Sequence, residues 1–208
     1  QWYTVTGRSR TYVKKVLEKI SGEIFKNYKV NSVNRNENNV RIKIGDDYLD
    51  YDQVVLASHA DQSLKMLDKP TEEENRILSK FKYVSNEAIL HSDESFMPKK
   101  KLAWSSWNSI SNGGKTCVTY WLNNLQNLKC DQNFFLTLNP ISEINKKKIL
   151  KNINFTHPYF NSETLKYQKS LLSIQGKKRT WFCGSYFSYG FHEDGIKSAI
   201  NLIENFKI

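Results

Sequence analysis

The sequence holds no glycine-rich turn of the form G-x-G-x-x-G, no C-x-x-C pair and no apolar run near the ~18 residues of a membrane-spanning helix. The first absence removes the usual backbone cradle for a dinucleotide pyrophosphate, because only closely spaced glycines let a turn approach phosphate oxygens. The three cysteines, Cys117, Cys130 and Cys183, are odd in number and dispersed. They argue against a disulfide scaffold or a zinc site and for free thiols in a reducing compartment, so a cytoplasmic location is expected. His59, His91, His157 and His192 are too scattered to predict a metal centre, and none is expected. No signal-peptide pattern is visible.

What the chain does have is apolar and basic residues: 39% hydrophobic, 13% aromatic and a net charge of +10 over 208 residues. That composition supports a sizeable core. Lysine is concentrated in two runs, Lys99-Lys100-Lys101 and Lys146-Lys147-Lys148. Neither run is interleaved with the aromatic spacing of a base-stacking surface, so nucleic acid is not the expected partner. Peripheral contact with an anionic membrane suits such runs better, since each basic residue near the surface contributes about 1 kcal/mol.

Periodicity divides the chain into two patterns. Tyr12, Val13, Val16, Leu17 and Ile20 predict a helix over 12–20, with Thr6-Gly7 and Ser9 at its start. Alternating runs at 29–33 and 40–44, with turns at 36–39 and 45–47, predict a small meander, and Val54 to Ala57 a continuous apolar strand. A helical pattern follows at 63–67 and breaks at Pro70. From Thr71 a helix (72–81) leads into strands at 87–91, 102–106, 117–122 and 134–138, with Gly113-Gly114 as a hairpin turn. A helix is predicted at 144–152, an irregular stretch at His157-Pro158, then a last strand and a closing helix. The pattern predicts an α/β first domain, 1–68 plus 178–208, with a mostly antiparallel α+β domain, 69–177, inserted into it.

The most informative stretch is TWFCGSYFSYGFHEDGIKSA at 180–199. Trp181-Phe182-Cys183 fits a buried strand, Gly184 allows a sharp turn, and Asp194-Gly195 stand before the periodic run Ile196, Ala199, Ile200, Ile203. The amide end of such a helix suits a phosphate or an electron-rich ring edge. This stretch resembles the C-terminal flavin-contacting motif of the FAD-dependent amine oxidase superfamily, in its bacterial NAD/FAD-binding branch. Six further segments are similar to the same branch: TVTGRSRTYV at 4–13, DQVVLASHADQSLKML at 52–67, AILHSDESFMPKKKLAWSSWN at 88–108, VTYWLNNLQ at 118–126, FFLTLNP at 134–140 and SIQGKKRTWFCG at 173–184.

The resemblance implies a partial FAD/NAD(P)-binding Rossmann-like domain that lacks its N-terminal βαβ unit, with an inserted substrate-type domain and FAD as cofactor. The chain, which starts at Gln1, is then expected to be the latter part of a longer protein. The implied cofactor contacts are Val30 at the adenine, Ala57 on the strand passing the cofactor, Gly184 and Ser185 near the ribityl phosphate, and Asp194, Gly195 and Ile196 at the flavin ring. Trp104, Trp107, Asn108, Tyr120, Trp121 and Tyr186 are candidates for the substrate pocket, because aromatic walls beside a flavin suit apolar or cationic substrates.

Three departures limit the mechanism. The segment YVSNEAILH at 83–91 has no lysine where many amine oxidases hold a water at the flavin. Gly184-Ser185 stands where Gly-Glu is common, and Gly7-Arg8 where paired glycines are. No catalytic side chain is therefore named. The expected activity is oxidation of a lipid, fatty-acyl or amine substrate by hydride transfer to flavin, in the full-length parent rather than in this piece, with a homodimer possible. The alternative from another class is a non-catalytic basic domain that binds anionic lipid or nucleic acid.

Overall fold

The computed structural model describes residues 3–206, so the outer limits of the expected first domain, at 1 and 208, lie outside the described residues. The elements run α1 (Ser9–Leu17), β1 (Val30–Arg35), β2 (Val40–Ile44), β3 (Asp47–Tyr51), β4 (Val54–Leu56), α2 (Ala60–Met66), α3 (Glu72–Leu78) and β5 (Lys82–His91). They continue with β6 (Trp107–Asn112), β7 (Lys115–Trp121), α4 (Leu122–Leu125), β8 (Phe135–Leu138), β9 (Ile149–Tyr159), α5 (Ser162–Gln168), β10 (Thr180–Phe182) and α6 (His192–Asn205). The chain is mixed α/β with two antiparallel sheets and one parallel pair. It divides into two compact units. One takes the chain up to Ile24 together with Ser85–Thr156, and the other takes Phe25–Val84 with the chain from His157 on.

These units differ from the expected boundaries at Pro70 and 176–178. The reason lies in α3 and the 169–174 turn: Ile77, Leu78, Leu171 and Ile174 are fully buried in one core with Val33, Val40, Val54, Leu56 and Phe182. Burying four such side chains contributes roughly 1.5–3 kcal/mol each, which ties 72–81 and 169–174 to the meander and the parallel strands. Thr71 caps α3, accepting from the Glu74 amide while the Glu74 carboxylate accepts from the Thr71 amide at 2.7 Å.

In this second unit β1, β2 and β3 form the meander, and β10 lies parallel to β4 with Leu56 opposite Phe182. The two edges of that parallel pair are treated differently. On β10, Phe182 donates its amide to Gln175 Oε1 at 2.9 Å and the Thr180 carbonyl accepts from Gly176, so the chain itself occupies the edge. No strand pairs with the other edge of β4 among the described residues. Arg35 of β1 is held inside by both carboxylate oxygens of Glu74, by the Lys69 carbonyl at 2.8 Å and by Thr180. Arg35 and Glu74 side chains are only 2% and 1% exposed.

The first unit is built on a five-stranded sheet, ordered β6-β7-β8-β5-β9. Gly113-Gly114, both at positive φ, make the β6–β7 hairpin as expected. Two other expectations change. The strand predicted at 102–106 is a short 3-10 turn, Lys101–Ala103, and the strand begins at Trp107. The helix predicted at 144–152 is a turn, Lys146–Lys148, followed by β9, which also takes in the supposedly irregular His157-Pro158. β9 is an edge strand, where lysines and a proline are tolerated because the outward amides need no partner. Helix α1 starts earlier than expected, at Ser9, and buries none of its residues.

Strand alternation assigns the sheet's residues to two faces. On one face Asn108, Thr119, Thr137 and Ile89 form a cross-strand row, and Trp121, Phe135 and His91 the next. His91 is fully buried: its Nε2 bonds Thr137 Oγ1 at 2.8 Å, Thr137 bonds Thr119, and its Nδ1 accepts the Asp93 amide. That pattern fixes a neutral ring with the proton on Nε2. Burial lowers the His91 pKa, and Lys148 adds to this, while the Asp93 carboxylate opposes it. Phe96 and Phe135 close the remaining sides of the ring.

A group whose pKa is depressed on folding takes up its proton more readily in the unfolded chain. The His91 contribution is therefore complete above its unfolded pKa, about 6.5, and is lost as pH falls through the window below it. The expected result is a melting temperature that drops between pH 7.5 and pH 5 in thermal scans, with a smaller drop in His91→Gln. Equal drops in both proteins would remove His91 from the explanation.

Candidate functional site

The open edge of β4 forms the floor of a groove of about 750 Å³, lined by the five consecutive residues Val54–Ser58, by Val30, Val33 and Ile42 of the meander, and by Gln62, Lys65 and Met66 of α2. Consecutive residues line it because a strand presents its backbone edge, with both side-chain faces, to the opening. Val30 and Ala57, two of the expected cofactor residues, meet here. Lys29 and Lys65 add two cations, the latter 3.5 Å from Asp61.

At the carboxyl ends of β4 and β10 the chain turns twice, through Ser58-His59 into α2 and through Gly184-Ser185 towards α6. This end of a parallel sheet is where α/β folds bind ligands. Gly184 has φ 153°, and a Cβ there would lie 2.7 Å from the Tyr186 ring, so only glycine fits. Its amide donates to Ser198 Oγ at 2.9 Å, which fastens the turn to α6. Gly195 lies on the first turns of that helix, where a Cβ would stand 3.8 Å from the Ser185 amide nitrogen. Gly184, Ser185 and Gly195 thus form one junction.

Asp194 and Ile196 stand apart from that junction. Asp194 lies at the third position of α6, which starts at His192, and its carboxylate accepts from the amides of Phe191 (2.9 Å) and Tyr189 (3.2 Å). It caps its own helix, and it faces a second hollow of about 950 Å³ lined by Gln175, Phe187, Lys197 and Asn201. Ile196 is 59% exposed on the outside of α6.

Tyr186, one of the pocket candidates, lies at the same strand ends together with Tyr83 and His59, which the sequence pattern did not mark. His59 stacks on Tyr83, centroids 4.2 Å apart and 12° from parallel, and Tyr83 Oη accepts the Ala60 amide at 2.9 Å. Burial, aided by Asp61, pushes the Tyr83 phenol up to about 12 against the Ala60 contact. The Tyr186 phenol is pushed well above its ordinary value by burial and then by Tyr83 and Cys183, and its buried hydroxyl has no hydrogen-bond partner among the described residues. One oxygen of Asp61 is likewise buried and unpartnered among the described residues. Buried polar atoms left unsatisfied mark a place where a ligand or ordered water completes the bonding. The run 83–91 draws the eye for its missing lysine, whereas Tyr83 at its start carries the contact.

The substrate-pocket candidates do not share one wall. Trp107 and Tyr120 face each other on the outer side of the five-stranded sheet, ring centroids 5.6 Å apart. Strand register continues that row through Leu136 and Leu90, with Ser109, Val118, Leu138 and Ala88 beside it; no side chain in either row is charged. Trp121 lies on the opposite face, edge-on to Trp104 at 5.2 Å, with its indole N–H on Asn133. Asn108 spends its amide on the Ser105 backbone and the Thr119 carbonyl, closing the turn before β6. Tyr186 belongs to the other unit. No group of three or more His, Cys, Asp or Glu able to hold a metal occurs among the described residues, and no described helix is long and apolar enough to cross a membrane.

No family model matches the sequence, and no curated protein does. Solved structures do match the fold. The CLA-producing fatty acid isomerase from P. acnes superposes with a TM-score of 0.69 at 13% identity, over 96% of this chain and 52% of that one. A putative protoporphyrinogen oxidase from Exiguobacterium sp. 255-15 gives 0.65 at 11% identity over 97% and 51%. Cyclohexylamine oxidase from Brevibacterium oxydans IH-35A gives 0.55 at 9% identity over 86% and 48%. The chain spans about half the length of the solved chains it resembles. Its fold is thus shared with about half of each of these solved chains, two named as oxidases and one as a fatty acid isomerase.

Proposed function

We propose that the chain is the C-terminal portion of an FAD-dependent oxidoreductase that acts on an amine or a lipid-type substrate, and that it needs an N-terminal βαβ unit to complete its cofactor site. The observation that carries this reading is the β4 edge: a parallel strand with a free row of amides and carbonyls, facing a groove already lined by Val30 and Ala57. A further parallel strand fits that edge, and its following turn is where a pyrophosphate cradle belongs in a doubly wound sheet. The exposed apolar residues Val55 on β4 and Ile196, Ile200 and Ile203 on α6 support the same reading, since a partial Rossmann-like layer leaves such faces bare.

The donor set fits FAD in part. Val30 and Ala57 would flank the adenine end, Lys29 and Lys65 would offset phosphate charge, and the junction of Gly184, Ser185 and Gly195 would hold the flavin end. Bound flavin supplies a hydride acceptor. The protein's own work is positional. The amide end of α6 presents donors to an electron-rich ring edge, and the Tyr83 and Tyr186 phenols, both held protonated, keep hydrogen-bond donors in a buried setting. Asp194 is committed to its helix cap and is not counted among the cofactor ligands.

The test is an absorption spectrum from 300 to 550 nm of the full-length parent and of this 208-residue chain, each after incubation with FAD. Two flavin bands in the parent and none in this chain are expected. A parent without the bands would overturn the cofactor assignment, and bands in this chain would show that no further unit is needed.

A further inference from the structure

Two lysine runs far apart in sequence come together in the first unit. Lys101 lies 3.9 Å from Glu94 and Lys148 lies 3.4 Å from its neighbour Asp93, whose other oxygen accepts the Asn145 amide at 3.0 Å. Phe96, ahead of the first run, and Ile144, ahead of the second, are buried in the same small core with Ile89 and Cys117. Both runs are thereby anchored to one edge of the unit. Lys99, Lys100, Lys146 and Lys147 are exposed and have no carboxylate partner among the described residues.

The first run also carries an apolar tip. The Trp104 indole donates to the Pro98 carbonyl at 2.7 Å, which closes the loop at its base, while Lys99 to Ala103 are all exposed. At the crest Leu102 has a relative exposure of 103%, so it touches almost nothing in its own fold. A solvent-facing leucine beside three lysines is poorly explained as a solvated loop. It matches the make-up of a surface that meets acyl chains with its tip and anionic headgroups with its flanks.

We propose that the Lys99–Ala103 loop and the Lys146–Lys148 turn form a docking surface for an anionic lipid bilayer, with Leu102 as its apolar anchor. A nucleic-acid partner is less well served: Trp104, the aromatic residue next to the run, packs edge-on against Trp121 and Phe135 and lies under Lys101, so it offers no free ring for stacking. The proposal does not depend on the flavin reading, since every residue in it lies outside the groove and the β4–β10 strand ends.

Co-sedimentation of the 208-residue chain with vesicles tests it. Binding is expected to vesicles of one part phosphatidylglycerol to two parts phosphatidylcholine at about 0.1 M salt, and not to pure phosphatidylcholine, with steep loss as salt is raised. At about 1 kcal/mol per lysine, roughly fivefold in affinity, Lys99→Glu with Lys100→Glu should weaken binding at least about tenfold. Leu102→Asp should weaken it severalfold, whereas Lys14→Glu with Lys15→Glu on α1 should have a much smaller effect. All these positions are exposed, and unchanged melting temperatures would confirm intact folding. Absence of binding to the anionic vesicles overturns the proposal, as does binding that the loop variants leave unchanged. Tighter retention of a single-stranded oligonucleotide, indifferent to Leu102→Asp, would reassign the surface to nucleic acid.

Discussion

Replacing Glu74 by alanine should cost about 3–5 kcal/mol, the usual penalty for removing one partner of a buried ion pair. The carboxylate accepts two bonds from Arg35, one arm measuring 2.9 Å, and a third from the Thr71 amide. Its loss strands a guanidinium that is 2% exposed beside Thr180 and the Lys69 carbonyl, and removes the α3 cap as well. At about 2–4 °C per kcal/mol for a chain of this size, the melting temperature should fall by on the order of 10 °C. Arg35→Met with Glu74→Leu should recover much of it, because a matched apolar pair leaves no buried charge. If Glu74→Ala melts within about 2 °C of the parent, the pair is not holding β1 to α3. The same carboxylate sets a pH dependence. Burial alone would raise its pKa, but the Arg35 and Thr71 contacts together outweigh it and the net is a lowered value. Its contribution is complete above the unfolded value near 4.3 and disappears as pH falls below it, a more acidic window than that of His91.

Gly184→Ala and Gly195→Ala should part company. At Gly184 the positive φ and the Tyr186 ring 2.7 Å from a new Cβ both oppose alanine, and the ring cannot yield because it packs against Phe81 and Phe187. A cost of about 2–4 kcal/mol follows from backbone strain and overpacking together. At Gly195 a new Cβ would make only an ordinary contact, 3.8 Å from the Ser185 nitrogen, and the helix favours alanine, so the fold should gain roughly 0.5–1 kcal/mol. If Gly195 lies against the flavin, the same change in the full-length parent should lower the flavin-to-protein absorbance ratio while raising the melting temperature. A Gly195→Ala parent that keeps its full flavin content would reduce Gly195 to a helix residue and remove it from the cofactor contacts.

Much of the fold was legible because its signals are local. The meander, the VVL strand, the Gly113-Gly114 hairpin and the closing helix each follow from alternation, apolar runs or glycine at a turn. The failures are equally physical. The lysine-rich stretch 144–152 has helical composition, yet pairing at the sheet edge decides its conformation, and pairing is not written in a nine-residue window. Leu102 to Ser106 looks like a strand until the bond from Trp104 to Pro98 bends it into a turn. Of the site, Val30 with Ala57 and Gly184 with Gly195 are brought together by the fold. Tyr83 and His59 were missed because their partnership joins residues more than twenty apart through ring stacking, which has no sequence period.

The parallel pairing of β4 with β10 also sets an order of events during synthesis. β10 leaves the ribosome only after the entire first unit has been made, so that unit can close its sheet while β4 still waits for its neighbour. Until Thr180 to Phe182 arrive, Val54, Leu56, Ile77 and Leu78 lack the strand that covers them, and β4 is exposed on two edges instead of one. A chain ending before Thr180 would carry a complete first unit and a second one whose β4 has no parallel partner.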